Sequence, residues 1–127
     1  DEPNGLAFSP DEKVLYVSDT SAALRPGNHH ILAFDVEGFT LKHMRVVAQI
    51  QPGLPDGFRI DVNGWIYTSC ESGVQILTAE GHLLGYIHVP ERVGNLTFGG
   101  AARNQLFIAA STSLYRIVLN TRGLQQP

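Results

Sequence analysis

A chain of 127 residues is long enough for one domain, and its 43% of apolar residues supply a core, which excludes a disordered chain. A net charge of −3, with lysines and arginines scattered along the chain, excludes an electrostatic case for binding nucleic acid or an anionic membrane. The single cysteine, Cys70, excludes an internal disulfide framework and a multi-cysteine zinc site, and no apolar run approaches the roughly 18 residues of a membrane span.

Alternation of apolar and polar residues dominates the sequence, and helical periodicity is nearly absent. Strands are expected first over Leu6–Phe8, Val14–Ser18, Ile31–Asp35 and Met44–Ile50. A second set follows over Phe58–Val62, Trp65–Ser69, Val74–Leu77 and Leu84–Val89, and a third over Leu96–Phe98, Leu106–Ala110 and Ser113–Leu119. Turn signals separate them: Ser9-Pro10-Asp11-Glu12, Val62-Asn63-Gly64, Ala79-Glu80-Gly81 and Arg103-Asn104. Asn-Gly between two strand-like runs is a strong hairpin signal, because both residues tolerate positive φ.

The three sets are copies of one unit. Superimposing Leu6, Phe58 and Leu96 brings Phe8, Ile60 and Phe98 together, and with them the runs VLYVSD, WIYTSC and LFIAAS. A period of about 40–50 residues with about four strands per unit points to β-propeller blades. The expected fold is therefore all-β, with blades over residues 5–50, 57–89 and 94–119, the third short of its outermost strand. Three blades do not close a ring, since propellers are built from about four to eight. The chain reads as part of a larger propeller, most simply half of a six-bladed one. The remainder is either a missing N-terminal half-propeller or a second copy of the chain. A stand-alone β-sandwich is the alternative.

The segments PNGLAFSPDEKVLYVSDT, LPDGFRIDVNGWIYTSC, GVQIL, EGHLLGYIHVP, NLTFGG and LFIAASTSLYRI, in this order, closely resemble the gluconolactonase/regucalcin-like (SMP-type) family. The resemblance covers nearly the whole chain and corresponds to the family's C-terminal half. It implies a six-bladed β-propeller and a divalent-metal-dependent lactonase that hydrolyses sugar lactones to aldonic acids, so a small-molecule lactone is the expected substrate. No nucleic acid or membrane partner is expected. A non-catalytic propeller used as an interaction scaffold, or an inactive remnant, is the competing reading.

The repeat places Asn4 and Asp56 at equivalent positions just before the inner strand of successive blades, at the mouth of the central channel. Two blades then offer two oxygens to one point, and hard divalent cations take such oxygens. Pro-Asn-Gly and Pro-Asp-Gly are also plain turn sequences. The resemblance implies that both positions are metal ligands, with a third, a glutamate of the first blade, outside this chain. Calcium is the first expectation, with zinc, magnesium and manganese open. The resemblance further implies that Asp56 is catalytic, as the general base toward water, while the cation polarises the lactone carbonyl.

Asn95 follows Gly94 at the start of the third blade, one position out of register with Asn4, and is a candidate to contact substrate hydroxyls or a simple strand-start residue. His29-His30 reads as a loop feature, since adjacent strand residues face opposite sides. Asp19, Thr20, Ser69 and Cys70, at strand ends, read as packing or loop entry. Cys70 has no cationic sequence neighbour to activate it, and no nucleophile motif is present. Trp65, aligned with Leu15 and Leu106, is expected in the inter-blade core. Arg25 reads as an exposed loop residue rather than part of a lid. One cysteine and no visible signal segment suit a reducing compartment, so a cytoplasmic location is expected.

Overall fold

The computed structural model describes residues 2–23 and 26–124, and Arg25 lies outside them. Eleven strands form three antiparallel sheets, each a meander in chain order. The first sheet holds β1 (Pro3–Phe8), β2 (Val14–Asp19), β3 (His30–Glu37) and β4 (Thr40–Gln49). The second holds β5 (Phe58–Ile60), β6 (Ile66–Cys70), β7 (Gly73–Leu77) and β8 (Leu83–His88). The third has three strands, β9 (Val93–Gly99), β10 (Gln105–Ala110) and β11 (Leu114–Val118). The only described departure from strand, turn and coil is a 3-10 turn over Ser21–Ala23. These sheets are propeller blades, stacked face to face.

Blade order is set by what each face buries. One apolar cluster joins the first two blades: Tyr16, Ile31 and Ala33 meet Phe58, Ile60 and Ile66. A second joins the last two: Tyr67 and Val74 meet Leu96, Phe98, Leu106 and Ile108. The middle blade is covered on both faces, and all five residues of β6 are buried. Successive β6 side chains alternate between neighbours, Ile66 toward the first blade and Tyr67 toward the third, as strand geometry requires. Tyr67 closes edge-on against Phe98, with ring centroids 5.1 Å apart.

Strand register corrects one expectation. Phe8 pairs with Leu15, Ile60 with Ile66, and Phe98 with Leu106. Ile66, not Trp65, is thus the counterpart of Leu15 and Leu106. Trp65 lies one residue outside β6, is 38% exposed, and is not a core residue. The cause is Asp61. Its buried Oδ1 accepts from the backbone N–H groups of Asn63 and Trp65, both at 2.9 Å, which ends β5 at Ile60 and shortens the hairpin. Asp61 Oδ2 accepts from Asn63 Nδ2 at 3.2 Å and from Thr121 Oγ1 at 2.8 Å. The same carboxylate therefore docks the segment after β11, where Leu124 N–H reaches the Ile60 carbonyl. Gly64, at the Asn-Gly turn, has φ of 81°, the left-handed region where glycine is favoured.

The repeat also exposes a bare face. Phe58 is fully buried and Leu96 is 3% exposed, each against the blade before it. Their counterpart Leu6 is 62% exposed, because no described blade precedes the first. Leu114, the counterpart of the buried Val74 by register, is 73% exposed on the far side of the third blade.

Candidate functional site

Asn4 and Asp56 meet. The Asn4 Nδ2 donates to Asp56 Oδ1 at 2.7 Å across the junction of the first two blades. The approach is set by what lies behind the two side chains. Gly5 follows Asn4, and a Cβ there would fall 2.7 Å from the Asp56 carbonyl oxygen. Only glycine lets the two backbones come so close. Ser18, fully buried at the end of β2, ties them: Gly5 N–H donates to Ser18 Oγ at 2.7 Å, and Ser18 Oγ reaches the Asp56 carbonyl at 3.2 Å. Ser18 is a positioning residue that sequence reasoning missed. Its signal was the recurrence of serine at the same point of both second strands, Ser18 and Ser69.

The third blade departs from the pattern at this point. Register pairs Ala109 with Asn95, and Leu6 with Val17, so that Asn95 is the counterpart of Gly5 and Gly57, and Gly94 the counterpart of Asn4 and Asp56. The third blade therefore presents no side chain at the position that Asn4 and Asp56 hold in the other two. Instead Asn95 lies directly against Gly57, filling the space a Cβ would need, and its Oδ1 accepts from Leu96 N–H at 2.9 Å. The Gly57 N–H donates to the Gly94 carbonyl at 2.9 Å, a backbone bond between blades that takes the place of the serine link, and Ser69 Oγ is left buried without a partner.

Asp56 and Asn95 share one open cleft of about 410 Å³, with Gly94 between them and Arg92 and Ser111 at its edge. The loop carrying Arg92 is pinned by its neighbour Glu91. That carboxylate accepts from Ser113 Oγ, Tyr115 OH and Thr112 N–H, each at 2.7 Å, and from Thr112 Oγ1 at 3.0 Å. The donors, Ser113 and Tyr115 foremost, lower the Glu91 pKa to about 2.

The remaining candidates are structural. Burial alone would raise the Asp19 pKa, but donors including Asn28 Nδ2 at 3.0 Å and Ser21 N–H at 3.0 Å outweigh it and hold the carboxyl below its usual range. Asp19 thus anchors the loop between β2 and β3. The His29 and His30 rings are 6.1 Å apart, and His29 Nε2 lies 2.5 Å from Gln49 Nε2. Cys70 is free and 1% exposed, its Sγ donating to Tyr86 OH at 3.4 Å. Among the described residues, no three His, Cys, Asp or Glu gather in one place that would hold a metal; the junction brings together one carboxylate, Asp56, and one side-chain amide, Asn4. No described helix is long and apolar enough to cross a membrane.

Comparison with known proteins gives a consistent picture. The chain is 35% identical to a gluconolactonase of Zymomonas mobilis, over 95% of this chain and 36% of that protein. It superimposes on the structure of a gluconolactonase from Xanthomonas campestris with a TM-score of 0.86 and 42% identity, over 94% of this chain and 38% of the other. A calcium-binding regucalcin from Agrobacterium tumefaciens shares the fold, with a TM-score of 0.80 at 18% identity, over 98% of this chain and 48% of the other. The chain spans roughly a third of the length of the curated relatives it matches. Residues 1–112, from β1 through the Asp56 junction to the β10–β11 hairpin, match the model of the SMP-30/gluconolactonase/LRE-like region, and the chain belongs to that family.

Proposed function

We propose that the protein carrying this chain hydrolyses a sugar lactone, with a divalent cation held by Asn4 and Asp56. The convergence of these two side chains at 2.7 Å, across 52 residues of sequence, carries the reading. The donor set fits a hard cation: a carboxylate, and an amide that presents Oδ1 once turned about its last torsion. A further ligand comes from outside the described residues. When bound, the cation supplies Lewis-acid polarisation of the lactone carbonyl and stabilisation of the oxyanion.

The chain's own groups do the rest. Asp56 takes the proton of the attacking water as general base, and Gly5 and Ser18 hold its backbone in place. Asn95, on the same cleft, hydrogen-bonds a substrate hydroxyl through its Nδ2. Calcium is the favoured ion, supported by the oxygen donors and by the calcium-binding regucalcin that shares the fold; zinc, magnesium and manganese are the alternatives.

The site needs a partner. The exposed face around Leu6 has the pattern of faces that a preceding blade covers elsewhere in this chain, so further blades, from an N-terminal half-propeller or a second copy, complete the ring. The single buried, free cysteine suits a reducing compartment, and we place the protein in the cytoplasm. The same bare face supports the second reading, a propeller scaffold without catalysis.

The test is acid release from δ-gluconolactone, followed by pH-stat, with and without chelator, and with calcium, zinc, magnesium or manganese restored singly. Turnover that needs a divalent ion and is lost in Asp56→Asn supports the lactonase. An absence of turnover with every ion in a verified complete ring supports the scaffold and ends the enzyme reading.

A further inference from the structure

Arg92 sits on the cleft it shares with Asp56 and Asn95, yet its guanidinium makes no hydrogen bond or ion pair to any described residue. Its backbone, by contrast, is held from three directions. Glu91 before it is fixed by Thr112, Ser113 and Tyr115. Val93 after it is 2% exposed in the inter-blade core. Its own carbonyl accepts from Ser111 Oγ at 3.3 Å. An arginine on a loose loop is ordinary solvated surface. Here the backbone is anchored, and the exposed side chain stands free beside the cleft.

We propose that Arg92 determines specificity by binding an anionic group of the sugar ligand in this cleft, which rests on the lactonase reading above. A guanidinium presents paired N–H donors that match the two oxygens of a carboxylate, phosphate or sulfonate, while a neutral hydroxyl engages only one of them. The one other ionisable group lining the cleft, Asp56, makes no ion pair with Arg92, so the positive charge is available to a ligand. The anion has two sources: the carboxylate released when the lactone ring opens, or an acidic substituent on the sugar itself. Both meet the same fork.

The experiment is calorimetric titration of the wild-type protein, Arg92→Met and Arg92→Lys with three probes: gluconate, glucose 6-phosphate and sorbitol. Loss of one charge-assisted contact predicts that Arg92→Met weakens at least one anionic probe by about tenfold or more, while sorbitol stays within about twofold. Arg92→Lys retains part of the effect, since the charge remains without the fork. Loss confined to gluconate identifies the opened-ring carboxylate, and loss confined to glucose 6-phosphate identifies a sugar substituent. Arg92→Met that leaves both anions unchanged, or weakens sorbitol equally, overturns the inference. Lactone turnover in the wild-type protein is measured alongside. Its absence, with Arg92-dependent anion binding intact, sinks the lactonase reading alone. Turnover with binding indifferent to Arg92 sinks only the specificity role.

Discussion

The side-chain amide of Asn4 donates to the carboxylate of Asp56 across 2.7 Å, although the two residues belong to different blades. Neither strand carries the other; the contact exists because two copies of one unit stack in register. Removing the charge from this pair tests its chemistry without dismantling the fold. On the lactonase proposal, in which Asp56 is the general base, Asp56→Asn is expected to lower lactone turnover by at least about 10²-fold. Calcium affinity, read by calorimetry, falls as well. Unfolding free energy shifts by no more than about 1 kcal/mol, since one hydrogen bond between partly exposed groups is at stake. Unchanged turnover would remove Asp56 from the chemistry.

Gly5 determines whether the pair can meet at all. Gly5→Ala places a methyl group 2.7 Å from the Asp56 carbonyl oxygen, a backbone atom that cannot swing aside. The first two blades must separate at the Asn4–Asp56 junction. Overpacking of this kind costs about 1–3 kcal/mol. The expected result is a lower urea midpoint and, on the metal-site proposal, weaker metal binding, although neither Asn4 nor Asp56 has been changed. A methyl group tolerated with full metal affinity would show that the junction is looser than its contacts indicate.

The loop bearing Arg92 has a built-in acid limit. Donors from Ser113, Tyr115 and Thr112 depress the Glu91 pKa to about 2, below its ordinary 4.5. Because the folded-state pKa is lowered, the stabilisation is fully present above about pH 4.5 and is lost as pH falls toward 2. The protection factor of the Thr112 amide, exchange relative to an unstructured amide at the same pH, is therefore expected to fall through that window, since its N–H donates to Glu91. Glu91→Gln removes the pH dependence of that protection. A protection factor that is flat between about pH 5 and about pH 2 in the wild-type protein would contradict the clamp.

Much of this molecule was legible in the sequence because it is written in triplicate. Matching Leu6, Phe58 and Leu96 was enough to find three sheets and the equivalence of Asn4 with Asp56, since β alternation fixes which side chains share a face. Trp65 shows where that logic slips. The apolar run starts at Trp65, but the strand starts at Ile66, because the Asp61 carboxylate captures the Trp65 N–H for a turn. Alternation has no marker for its own first residue, and a one-residue offset exchanges core for surface. The meeting of Asn4 with Asp56 was legible, but the contacts of Ser18 and the placing of Arg92 beside the cleft were not. Ser18 acts through a hydrogen bond between blades, and Arg92 through a loop pinned by Glu91, 22 residues from Ser113. The Ser18 relation shows only in the recurrence of serine at Ser69 in the next blade, and the Arg92 relation leaves no local pattern.

Leu6 and Phe58 occupy one repeat position in two surroundings, which makes them a paired test of what covers the first blade. Phe58 is fully buried between blades, so Phe58→Ala is expected to cost about 3–5 kcal/mol in urea unfolding. Leu6 is 62% exposed on the face that no described blade covers. In the 127-residue chain by itself, Leu6→Ala is expected to cost well under about 1 kcal/mol. In a completed ring the same substitution removes a buried side chain, and the cost rises to about 2–5 kcal/mol. Comparing the two substitutions in the 13.9 kDa chain and in an assembled form therefore measures whether further blades cover this face. Should Leu6→Ala cost equally little in both, the exposed face of the first blade is not where the ring closes.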